Sequence, residues 1–137
     1  MPRVLTPWRH GRLVGGVLVL AASLGLPLAH AQTGDVQKGR QLFESRCIGC
    51  HSLDQNRVGP ALGTVVGRIA GKQADFAYSA ALGRATHVWT PEKLQTWLTD
   101  PEALVPGQAM GYSLSQAEDR RNVVAFLQSL TEPRPAR

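Results

Sequence analysis

The feature that most constrains this 137-residue chain is the run Cys47-Ile48-Gly49-Cys50-His51. These are the only two cysteines in the sequence, and a spacing of two residues brings both thiols to one side of a short helical turn. A Cys-x-x-Cys pair followed at once by His is the attachment pattern of a c-type haem. The thiols add across the two vinyl groups of one porphyrin, and the adjacent imidazole reaches the iron as proximal ligand. Three rivals use the same residues. A structural disulfide between Cys47 and Cys50 would suit an oxidising compartment. A thioredoxin-like redox pair would want a strand before the motif and a βαβ pattern around it, and neither is visible. A zinc site could draw on Cys47, Cys50, His51 and His87, a Cys2His2 inventory, although neighbours 50 and 51 make poor corners of one tetrahedron.

Residues 1–31 have the pattern of a secretory signal peptide. Arg3, Arg9 and Arg12 form a positive start, Leu13 to Leu28 an apolar run, and Ala29-His30-Ala31 an A-x-A cleavage site. The competing reading is an uncleaved membrane anchor, but the run is short for a span and contains Gly15, Gly16 and Pro27. Cleavage would leave a single domain, 32–137, exported to the periplasm. The charge argument changes with it. The whole chain is formally +5, but the expected mature chain has twelve Lys and Arg against ten Asp and Glu, a net +2. No basic stripe remains, which excludes a nucleic-acid reading. In a domain this small, a bulky apolar cofactor would be a large part of the core.

In chain order, Gly34-Asp35 is a helix start, with Val36, Gly39 and Phe43 at roughly helical spacing over 36–46. Gly39 is costly inside a helix unless something approaches its backbone closely. From Ser52 to Gly71 the chain is turn-rich, with apolar residues of no clean period, as in a loop that packs over something. Residues 74–84 suggest a short helix or irregular aromatic segment. Thr90-Pro91-Glu92 opens a helix whose buried face is Leu94, Trp97 and Leu98, and Asp100-Pro101 stops it. Met110, the only methionine outside the leader, follows the turn-rich Pro106-Gly107-Gln108-Ala109. A lone Met is usually core filler, yet this one sits off any periodic face. Ser115-Gln116-Ala117-Glu118 reads as a capping box opening a helix over about 116–130. The fold class is all-α, four or five helices with long loops.

Taken together, these motifs resemble class I cytochrome c, of the mitochondrial and bacterial c2-like type. The likeness runs over about 35–131. It rests on Gly39 and Phe43, the Cys47–His51 motif, Val58-Gly59-Pro60-Ala61-Leu62, Gly67-Arg68, Trp89, Asp100-Pro101, Pro106 to Met110, and Ala125-Phe126-Leu127. The resemblance implies one haem c held by thioethers from Cys47 and Cys50, with His51 as proximal and Met110 as distal iron ligand. It implies that the Pro60 carbonyl accepts a hydrogen bond from His51, and that Arg68, Tyr78 and Trp89 bind or bury a haem propionate. Gly39 and Phe43 would cross the last helix at Phe126. Trp97 stands where the family often has a tyrosine beside the methionine sulfur, so a hydrogen bond there would come from an indole or be absent. Ala109 replaces a usual lysine, and Tyr112 takes the place of a phenylalanine at the haem edge.

The implied function is one-electron transfer without substrate chemistry. A donor such as a dehydrogenase or quinol-oxidising complex and an acceptor such as a terminal oxidase would be its partners. A monomer is expected, with membrane association at most transient. The alternative is a ligand-binding or peroxidase-like protein in which Met110 dissociates. It would call for a distal polar group such as a His or Arg, which the stretch Pro106–Tyr112 does not offer.

Overall fold

Asp35 opens the first helix as the sequence predicts, its carboxylate accepting from the backbone N–H groups of Gln37 and Lys38. The computed structural model describes residues 33–131; the expected leader, 1–31, lies outside the described residues. The helices are α1 (Val36–Arg46), α2 (Ala80–Gly83), α3 (Pro91–Thr99), α4 (Pro101–Leu104) and α5 (Ala117–Ser129). Among the described residues no strand forms beyond an isolated antiparallel bridge between Ile69 and Val88. The chain is therefore all-α. Of the described helices, none is long and apolar enough to cross a membrane.

The frame is the crossing of α1 with α5. A Cβ built on Gly39 would lie 1.9 Å from the Asn122 carbonyl oxygen, so only glycine lets the two backbones approach this closely. Beside that crossing, the Asp35 N–H donates to the Asn122 side-chain oxygen at 2.8 Å, which satisfies a polar group that is otherwise buried. One turn on, the rings of Phe43 and Phe126 meet at 5.5 Å between centroids. Helix α3 packs on the same α5, burying Leu94, Trp97 and Leu98, the face its period assigns.

Three local features depart from the sequence reading. Asp100-Pro101 ends α3 but also starts α4, because the Asp100 carboxylate caps Glu102 and Ala103 and proline suits a first helical position. The expected capping box at Ser115 does not form. Helix α5 starts after Gln116 with no side-chain cap, while the Arg120 guanidinium donates to the Leu114 and Ser115 carbonyls at 2.5 and 2.8 Å. The arginine thus satisfies the chain entering the helix, and the serine hydroxyl is not recruited. Finally, the loop after the cysteines is tied across the Ile69–Val88 bridge, with Trp89 N donating to the Arg68 carbonyl and Gly67 N to that of Trp89.

Candidate functional site

The buried apolar side chains do not fill the interior. They wall a cavity of about 490 Å³, within the range of sites that enclose a small molecule or cofactor. Cys47, Cys50 and His51 form one part of its lining and Met110 with Trp97 another. Pro60, Arg68, Tyr78 and Trp89 line it as well. All the residues that the sequence implicates are thus brought to one space. Val58 (79% exposed), Ile48 and Tyr112 are exposed apolar groups, and Val58 and Tyr112 belong to the lining.

The two sides of the cavity are held differently. At the cysteine motif, the backbone turns tightly out of α1, with Cys50 N and His51 N both donating to the Cys47 carbonyl. The Nδ1 atom of His51 lies 2.8 Å from the Pro60 carbonyl oxygen. A carbonyl only accepts, so Nδ1 carries a proton, and in the neutral ring Nε2 is the nitrogen with the lone pair. Gly59 is pressed against the ring: a Cβ there would come within 2.2 Å of Cε1. The short loop before it is drawn in by Arg57, which donates to the Ile48 carbonyl at 2.7 Å, and by Gly59 N, which donates to the Cys50 carbonyl. An imidazole so placed is a pre-oriented, strengthened metal ligand.

Across the cavity, the Trp97 indole N–H donates to the Met110 sulfur at 3.2 Å. Of the two outcomes left open by the sequence at this position, the structure contains the hydrogen bond. The indole is itself buried, edge-on to Trp89 at 5.3 Å between centroids.

Arg68 offers the cavity a place for an anionic group. Its guanidinium donates to the Ala61 carbonyl at 3.0 Å, to the Gln73 side chain and, at 3.4 Å, to Thr64. Those acceptors are all neutral, and its buried Nε has no partner. Burial holds its pKa below the ordinary value, an effect that Tyr78 partly offsets. A half-buried cation with a buried, unpartnered Nε carries a desolvation cost, and a propionate-like anion in the cavity would relieve it. Gln73, which the sequence reading missed, ties this corner together by also donating its N–H to the Tyr78 hydroxyl at 3.3 Å. Polar loop residues carry no periodic signal, so nothing in the sequence marks Gln73.

The rival readings of the cysteines fare poorly against this geometry. Both thiols are free. Burial, with a smaller effect from Cys50, pushes the Cys47 thiol up to about 11, the opposite of the lowered value a redox-active pair needs. Among the described residues no three His, Cys, Asp or Glu side chains converge to hold a metal ion. His87 instead sets its ring edge-on to Trp89 at 4.6 Å. Two free thiols, an oriented imidazole, a thioether facing the same cavity and a half-buried arginine with an unpartnered Nε together fit a covalently bound haem.

The sequence pattern of the cytochrome c family matches residues 36–131. The chain belongs to the cytochrome c family. Cytochrome c2 of Agrobacterium tumefaciens is 37% identical over 110 residues, a match covering 75% of this chain and 98% of that protein. The cytochrome c-type cyt cy of Rhodobacter capsulatus is 42% identical over 100 residues, covering 72% of this chain; the match spans only 50% of that longer protein. Among solved structures, cytochrome cH from Methylobacterium extorquens superposes with a TM-score of 0.67 at 35% identity, covering 70% of this chain and 99% of that one. As a cytochrome c, the chain binds one covalently attached haem c and carries electrons. Cys47 and Cys50 are the only cysteines available for the attachment.

Proposed function

We propose that this cytochrome c is an exported, monomeric one-electron carrier whose haem iron is held by His51 and Met110 and whose thioethers come from Cys47 and Cys50. The observation that carries the reading is that the His51 ring and the Met110 sulfur line one cavity, each already fixed by a hydrogen bond on its far side. The haem supplies the reversible one-electron change. The protein's part would be to offer His51 and Met110 to the iron together, leaving no open site for oxygen or peroxide, and to exclude water from the ring. Pro60 keeps the proton on the outer nitrogen of His51. Arg68, with Tyr78 and Trp89 beside it, takes the propionate end, and Trp97 steadies the sulfur. The leader at 1–31 supports export to the periplasm, and the exposed apolar residues beside the cavity support brief docking of a donor dehydrogenase or quinol-oxidising complex and of an acceptor oxidase.

The test is an absorption spectrum of protein exported from cells that attach haem. It should show a haem that survives acid-acetone extraction and, in the ferric form, the weak far-red sulfur-to-iron charge-transfer band. Met110→Ala should abolish that band and lower the reduction potential, whereas His87→Ala should leave both nearly unchanged. The reverse pattern would refute the axial pair.

A further inference from the structure

In the loop that carries Met110, the methionine side chain is the one that packs against the hydrophobic core. Between buried Val105 and buried Leu114, no residue from 106 to 113 is buried. Its far end is pinned where Leu114 N donates to the Leu98 carbonyl at 2.7 Å. Between the pins, Gln108 N donates to the Val105 carbonyl and Tyr112 N to that of Met110, and two further hydrogen bonds of the loop converge on one carboxylate. One oxygen of Glu102 accepts from Gly107 N at 2.8 Å and the other from the Gln108 side-chain amide at 3.3 Å. The carbonyl end of that same Gln108 side chain accepts from Met110 N. Glu102 itself stands on α4, whose start is fixed by the Asp100 cap and by buried Pro101.

We infer that Glu102 and Gln108 form a latch that positions Met110 and sets how often it leaves the iron; the inference rests on the axial ligation proposed above. Its polarity is forced. A carboxylate only accepts, so it turns the NH2 of Gln108 toward itself and the amide oxygen toward the Met110 N–H. The orientation of Gln108 is therefore dictated by an acceptor at one end and a donor at the other, which removes the usual ambiguity of an amide. The latch acts on the backbone of Met110, while Trp97 acts on its sulfur. Both residues act through Met110 and neither is itself an iron ligand.

This arrangement predicts an unusual response to a conservative change. Glu102→Gln can still accept from Gly107, but its new NH2 group faces the NH2 of Gln108. If Gln108 flips to relieve that conflict, it turns a donor toward the Met110 N–H. Loss of the charge should therefore be felt at Met110, nearly as strongly as loss of the side chain.

The experiment measures displacement of Met110 from the ferric holoprotein by imidazole at saturation, where the observed rate reports departure of the sulfur. Charge-assisted but solvent-exposed hydrogen bonds warrant an acceleration of about tenfold for Glu102→Ala, Glu102→Gln or Gln108→Ala. Because the two residues act in series, the double variant Glu102→Ala/Gln108→Ala should be no faster than the faster single one. Hydrogen exchange of the Gly107 and Met110 amides should accelerate in the same variants. Glu44→Gln, an exposed carboxylate on α1, serves as the control and should change neither readout. Rates and exchange within twofold of the unaltered protein would overturn the latch, as would full additivity in the double variant. Absence of the far-red band in the unaltered protein would instead overturn the ligation, and the latch with it.

Discussion

Replacing Gly39 by alanine tests the frame of the fold at its tightest point. The added methyl would sit 1.9 Å from the Asn122 carbonyl oxygen, 2.6 Å from its carbon and 2.8 Å from the Phe126 Cβ, where ordinary contact begins near 3.4 Å. The first two are backbone atoms, so no side-chain rotation relieves the clash, and α1 and α5 must part by roughly 1.5 Å. Overpacking of a core generally costs about 1–3 kcal/mol, and a backbone clash belongs at the upper end. Parting the helices also strains the Asp35–Asn122 hydrogen bond, whose loss would leave a buried amide oxygen unsatisfied at about 1–3 kcal/mol. Against this, alanine gains about 1 kcal/mol of helix propensity over glycine. The net expectation is a loss of about 2–4 kcal/mol. Guanidinium unfolding of the ferric holoprotein, followed by circular dichroism, measures it directly. The far-red band should survive in the folded variant, since neither proposed ligand is touched. A stability equal to or above that of the unaltered protein would mean that propensity wins and that the close approach does not organise the fold.

Three further outcomes are expected. Trp97→Phe removes the N–H that draws electron density from the Met110 sulfur, so the sulfur should favour ferric iron more and the reduction potential should fall; potentiometric titration showing a rise would refute this. His87 is held below its ordinary pKa of 6.5, first by burial and then by Lys93. As pH falls through that value, the unfolded chain takes up a proton that the folded state resists, so stability declines on the acid side. Unfolding midpoints should fall less for His87→Phe than for the unaltered protein between about pH 7 and pH 5, and parallel declines would count against it. Finally, with exposed Ile48, Ala109 and Tyr112 and a small net charge, electron transfer with the natural partner should slow by less than roughly tenfold from low to physiological ionic strength. A loss of a hundredfold or more would reveal a strongly polarised docking face.

Local signals carried the sequence reading far. The Asp35 cap, the Thr90-Pro91 start and the period of Leu94, Trp97 and Leu98 each depend on neighbours a few residues away, and each recurs in the structure. Gly39 was legible for a different reason, since a glycine that weakens a helix implies a compensating approach. What stayed hidden depends on distant partners. Asn122 has the look of any polar residue on a helix, and only its bond to Asp35, 87 positions earlier, explains its burial. The Ile69–Val88 bridge is too short to leave a period of two. Pro101 reads as a stop signal, yet the same residue with Asp100 before it is also a start signal, and only the following turn decides between them. At Ser115 the local signature was present but lost to the guanidinium of Arg120, a competition that spacing alone does not reveal.

Covalent attachment of the haem has a consequence for dilution. Were the haem held only by contacts, the stability it confers would follow mass action, rising and falling with free haem concentration. Attached through cysteines that directly follow α1, it cannot be lost to a competing binder or to a large volume of surrounding fluid. Each return to the folded state is then a unimolecular event, with the haem present at the effective concentration set by a very short tether. The same haem is therefore at hand every time the chain folds.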